Sequence, residues 1–159
     1  MGMTMKIRRI TADECESLSS DEVRELLRYG AAGVIDLDKA WDGIAWLISE
    51  ERRERSYMLP DPSEPETQAV YGIDPEGDGL QFRTPPERVV EIAEALSPLD
   101  DAAARTHFDP ARMNDAEVYP PIWDEGEEAL AYLLANFAQL RALYLAAAAA
   151  GDAVIHVID

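Results

Sequence analysis

The stretch Asp36–Ile48 constrains the fold more than any other part of the chain. It holds two of the three tryptophans, and Trp41, Ile44, Leu47 and Ile48 recur at the spacing of one buried helical face. The spacing predicts a helix over Lys39–Ile48, capped by Asp36 or Asp38, with Trp46 off the stripe. Burying aromatics of this size makes that helix the element around which the others pack.

Upstream, apolar Met3, Met5 and Ile7 alternate with Thr4, Lys6 and Arg8, which predicts a strand over Met3–Ile10. Thr11 with Glu14 and Ser19 with Glu22 have capping-box spacing. They predict a helix over Ala12–Leu18 and another through Val23, Leu26 and Leu27, ended by Gly30 and Gly33. Cys15 falls on the apolar face of the first helix, as a small buried side chain rather than a nucleophile.

Downstream, Glu50–Arg55 reads as a mixed-charge patch. Pro60, Pro62 and Pro65 then break regular structure in a loop anchored by Tyr57, Met58 and Leu59. Thr67–Tyr71 fits a helical turn or an edge strand equally well. Leu80–Arg83 reads as a short strand. Thr84, Pro85, Pro86 and Glu87 start a helix with a capping box and an early proline, and its stripe is Val89, Ile92, Ala93 and Leu96. Asp100–His107 is a further helix, and Asp109 caps a short one from Pro110 to Asp115.

Tandem prolines hold Glu117–Trp123 extended. Asp124 is then expected to cap the longest helix, Glu125–Ala150, whose stripe is Leu130, Leu133, Leu134, Phe137, Leu140, Tyr144 and Leu145. Gly151 supplies its left-handed cap. The apolar run Ala153–Ile158 is short enough for a central strand beside the first, with His156 on its less buried side.

A length of 159 residues suits one domain over residues 1–159 with one core. The fold class this predicts is α+β, a small mixed β-sheet packed with several helices, chiefly those at Lys39, Pro85 and Glu125. The net charge of −18 disfavours nucleic acid and anionic lipid as partners and favours a basic protein. No window was found to approach the ~18 apolar residues of a membrane span, and no signal-peptide core stands near the N-terminus. The single cysteine fits a reducing cytoplasm.

No cysteine and histidine spacing resembles a metal site, and neither a metal nor a cofactor is expected. The run Asp74–Gly79 imitates the opening of a calcium loop, but Pro85 stands where a bidentate Glu is required, so the run reads as a tight turn. His107 and His156 are the only imidazoles. Structural roles fit both, His107 through the dipole of a helix end.

The blocks Leu37–Trp41, Glu117–Pro120 with Ile122 and Trp123, and the alanine-rich helix running into Gly151 and Val154–Ile158 resemble the YfbM-like family of bacterial proteins. That resemblance implies a fold and no reaction, because the family is one of unknown function. Family members often carry His where this chain has Ala45, and Thr-Gly in place of Ser49 and Glu50. A catalytic His at that place would be missing here.

The resemblance also marks a candidate ligand or partner site: Asp36, Asp38, Trp41 and Asp42 on one segment, and Glu117, Tyr119 and Trp123 on another. Carboxylates beside Trp or Tyr can bind a cationic or sugar-like ligand, whereas the structural alternative makes the aromatics core and the carboxylates caps. The sequence favours the structural alternative. The function expected is a non-enzymatic binding or interaction module that neutralises a basic partner, as an immunity protein does. The alternative is a small carboxylate-based enzyme, such as a hydrolase, built on Asp38, Asp42 and Glu117. Calorimetric titration with calcium is expected to be flat, and a saturable signal abolished by Asp78→Ala would contradict the turn reading.

Overall fold

The computed structural model describes residues 2–55, 61–77 and 79–159. The expected loop anchors Tyr57, Met58 and Leu59, together with Pro60 and Asp78, lie outside the described residues. Strand β1 (Met5–Ile10) begins two residues after the alternation does. With β2 (Ile35–Asp36), β3 (Leu80–Thr84) and β4 (Ala153–Ile158) it forms one sheet in the order β2-β1-β4-β3. The α+β class and single domain are as expected. The sheet, expected to be mixed, is antiparallel at each pairing among the described residues. Chain direction explains this, because β4 starts where β1 finishes, with Ala153 opposite Ile10.

Both faces of the sheet are covered. Helices α1 (Ala12–Ser17) and α2 (Ser20–Leu26) close one face, where Ile10, Ala153 and Ile155 meet Cys15, Val23 and Leu27. Both capping boxes form as the spacing predicts. The other face carries Met5, Ile7, Val154 and Ile158 into the larger core, shared with α3 (Trp41–Ile48), α5 (Pro65–Tyr71), α6 (Pro86–Leu96) and α9 (Glu127–Ala150). Two covered faces explain why β4 reads as a continuous apolar run.

His156 faces that larger core, contrary to the expectation that it lies on the less buried side of the strand. It is fully buried, its Nε2 lies 3.1 Å from the Val70 carbonyl oxygen, and its ring stacks on Phe82 at 4.8 Å. Its neighbours Ile155 and Val157 point to the α1/α2 side. A strand with two buried faces puts the odd residue inside whichever way it points.

Helix α3 is shorter than predicted and capped by neither aspartate. Its N-cap is Ala40, while Asp38 takes a left-handed φ of +49° and donates its N–H to Asp36 Oδ1 at 2.8 Å. All eight of its residues are buried, Trp46 included, because α5, α7 (Asp101–Arg105) and α9 surround it. Gly43 permits the approach of α9, since a Cβ there would stand 2.6 Å from both Leu133 and Trp123.

The Glu50–Arg55 patch is helix α4 (Glu50–Glu54), and the open segment Thr67–Tyr71 lies in α5, where Pro65 starts the helix. Pro86 does the same for α6, but Thr84 stays in β3 and the expected capping box does not form. Asp109 caps α8 (Pro110–Asp115) as expected, while Asp100, expected inside a helix to His107, is instead the N-cap of a shorter α7.

Helix α9 starts two residues after the expected position. Trp123–Glu125 form a 3-10 turn and Gly126, at φ +63°, is the N-cap; Asp124 instead accepts from Asn114 Nδ2 at 2.9 Å. Leu143, rather than Leu145, joins its buried stripe, and Gly151 is the left-handed cap. By length and mean hydropathy (1.3) α9 passes the test for a membrane span, contrary to the reading of the sequence. In this fold its leucines pack against α3 and α6.

Burial pushes the His156 pKa down from 6.5 to about 4, with the Val70 carbonyl acting in the opposite sense. Below pH 6.5 the unfolded chain takes up a proton that the folded chain refuses. Stability is therefore expected to be full above pH 6.5 and to fall by about 3 kcal/mol from this group as pH drops towards 4. Chemical denaturation at pH 7 and pH 4.5 checks this; His156→Phe should remove part of the difference, and an unchanged pH dependence in the variant would contradict the assignment.

Candidate functional site

Asp42, in the first turn of α3, is buried and fully engaged. Arg52 of α4 donates Nε to Oδ1 at 2.8 Å and Nη2 to Oδ2 at 3.0 Å, a bidentate pair. The Tyr71 hydroxyl of α5 donates to Oδ1, and the Tyr119 backbone N–H donates to Oδ2 at 2.9 Å. One carboxylate thus joins α3, α4, α5 and the proline segment. Arg52 also donates Nη1 to the Arg55 carbonyl oxygen at 3.1 Å and lies 5.8 Å from the Trp46 ring. Although burial opposes its charge, Asp42 and Tyr71 hold the guanidinium protonated, with a pKa above the ordinary arginine value. Burial, then the Asp42 charge, raises the Tyr71 pKa well above that of a free phenol.

The two tryptophans of the candidate set are core. Trp41 is 3% exposed, donates Nε1 to the Met3 carbonyl oxygen at 3.0 Å, and packs edge-on against Tyr71 and tilted against Tyr119 at 5.4 Å. Trp123 is fully buried, with Nε1 donating to the Val118 carbonyl oxygen at 2.7 Å. Tyr119 is half-buried. The carboxylates disperse: Asp36 serves the Asp38 turn, Glu117 is exposed at φ +53°, and Asp42 is spent on Arg52.

Asp38 lines an open groove of about 540 Å³. Its Oδ2 accepts from the Tyr132 hydroxyl at 2.8 Å, and that hydroxyl accepts from the Lys39 N–H at 3.0 Å. Burial, then Asp38, raises the Tyr132 pKa, so the phenol stays neutral. Pro120, Pro121 and Ile122 give the groove apolar surface, and Glu125 and Glu128 add exposed carboxylates. Neither Asp42 nor Glu117 lines it.

Glu125, Glu128 and Tyr132 were not among the site residues read from the sequence, nor were Arg52 and Tyr71. Arg52 sits in a run of charges that looks solvated, and its partner is ten residues away. The signal for the groove was the tandem proline, which brings Pro120–Ile122 to the start of α9. A second buried carboxylate, Glu51, accepts N–H bonds from Ser63 and Glu64 at 3.0 Å. Burial would raise its pKa, but these bonds outweigh burial and lower it.

His107 does not show the raised pKa that a helix dipole would give. Burial, then Arg53 and Arg112, push it down. Among the described residues no group of three or more His, Cys, Asp or Glu is placed to hold a metal.

Two variants test the structural reading of the aromatic and carboxylate set. Asp42→Asn strips the charge facing a buried guanidinium and is expected to cost about 3–5 kcal/mol in denaturant melts. Trp41→Ala is expected to cost about 3–5 kcal/mol through the cavity it leaves. A loss below about 1 kcal/mol at either position would release that residue for a binding role.

A family profile described as a domain of unknown function (DUF1877) matches residues 1–157. The crystal structure of YfbM from Escherichia coli, itself titled a protein of unknown function, superposes with a TM-score of 0.75 at 22% identity, covering 98% of this chain and 99% of that one. At that identity the likeness speaks for the fold alone. No curated protein sequence matches. The profile spans nearly the whole chain, which therefore belongs to the DUF1877 family, a YfbM-like family of unknown function.

Proposed function

We propose that this chain is a non-enzymatic cytoplasmic binding module that engages a basic protein, with the groove at Asp38 as its contact. The observation that carries the reading is the composition of that groove: three exposed carboxylates, Asp38, Glu125 and Glu128, outnumber its one cation, Lys39, around the apolar surface of Pro120, Pro121 and Ile122. A Lys or Arg side chain has the matching form, an aliphatic stem that lies on apolar surface and a charged head that seeks carboxylate. The net charge of −18 steers such a partner inward from a distance. Cytoplasmic placement is proposed because Cys15 is an unpaired, buried thiol. The hydrolase alternative needs Asp38, Asp42 and Glu117 on one substrate, and the commitment of Asp42 to Arg52 makes binding the better supported reading.

Pull-downs from the source lysate with the intact chain test this. The main specific partner is expected to be basic, and its capture to weaken between about 0.1 M and 1 M salt, where the Debye length falls from about 10 to 3 Å. The pair Asp38→Asn and Glu125→Gln should reduce capture without changing the melting temperature. An acidic partner, or capture indifferent to salt and to both substitutions, would overturn the reading.

A further inference from the structure

We propose that the cleft bordered by α4, α5 and α7 binds a small zwitterion, an α-amino acid with an apolar side chain. The inference is independent of the protein-binding reading, since the cleft shares no residue with the groove at Asp38. Its volume, about 500 Å³, lies within the range of small-molecule sites.

Three chemistries meet in the cleft. Leu47, Ile48, Leu99 and Ala103 supply apolar surface for a side chain. Arg53 supplies an anion contact. Its Nη1 is held by the carbonyl oxygens of Trp46 at 2.7 Å and Leu47 at 3.3 Å, which fixes the guanidinium against the end of α3. Nε and Nη2, the edge that takes a carboxylate in two parallel bonds, have no partner among the described residues. Glu50, Glu64 and Glu54 offset the Arg53 charge from a distance, but no carboxylate among the described residues stands within ion-pair distance of it. His107 is kept neutral by burial and by the charges of Arg53 and Arg112, so it adds a hydrogen-bonding ring.

Glu50, Glu64 and Glu66 supply the complement for an ammonium. Glu64 is positioned by the Glu51 N–H, which donates to its Oε2 at 3.3 Å, while Glu66 makes no hydrogen bond among the described residues. A simple anion would meet these carboxylates as repulsion, and a simple cation would leave the free edge of Arg53 unpaired. A ligand carrying both charges satisfies both ends, and an apolar side chain covers the rest.

Calorimetry on the intact chain with leucine, N-acetylleucine and leucinamide tests this, with the His107 ring resonances as a site-specific reporter. Leucine is expected to bind saturably and to move the His107 resonances, while the two derivatives, each lacking one charge, bind at least about tenfold more weakly. Arg53→Lys keeps the charge and loses the fork, and should weaken leucine about tenfold. Glu66→Gln, in the first turn of α5 and without a hydrogen bond to lose, should narrow the preference for leucine over N-acetylleucine and decides the matter if Arg53→Lys fails to fold. The proposal is overturned if leucine gives no saturable signal by about 10 mM, if all three compounds bind alike, or if neither substitution alters binding.

Discussion

A single desolvated ion pair, Asp42 with Arg52, is the constraint on which the helical half of this molecule depends. Neither charge has water to fall back on, with side chains 7% and 2% exposed, so every remaining hydrogen-bonding position on the carboxylate must be filled from the protein. Tyr71 and the Tyr119 N–H fill them. Because the four donors come from α4, α5 and the proline segment, satisfying one carboxylate sets where three separate pieces of chain meet α3. Hydrophobic burial supplies the driving force for this packing, and the polar network selects one arrangement of it.

The same network decides which carboxylates remain for other work. Asp42 and Glu51 are consumed inside the fold, one by a guanidinium and one by backbone N–H groups. Asp38, Glu125 and Glu128 stay at the surface of a groove that the proline segment helps to shape. A protein so acidic could carry its charge evenly as a solubility device. The concentration of carboxylate beside apolar groove surface is what turns the charge into a recognition argument.

Much of the fold was legible in local signals. Thr11 with Glu14 and Ser19 with Glu22 form their capping boxes, Asp109 caps its helix, and the alternation in β1 and the apolar run of β4 lead to adjacent strands. What failed did so where tertiary context overrides local pattern. Asp38 and Asp124 look like caps, yet one turns left-handed and the other bonds Asn114. His156 looks like the outer residue of an alternating strand, an inference that requires one face of the sheet to be wet. Trp46 looks like the exposed side of an amphipathic helix, an inference that fails once α3 is enclosed all round. Of the candidate site, the chain positions were legible and their roles were not, because the partners of Asp42 lie 10, 29 and 77 residues away.

A double-mutant cycle on Asp42→Asn and Arg52→Gln, read by equilibrium denaturation, tests the central claim most directly. If the pair organises the helical layer, the two single losses overlap strongly and the coupling reaches about 2 kcal/mol or more. Additivity within about 0.5 kcal/mol would mean that the two charges act independently and that the account of this fold is wrong at its centre.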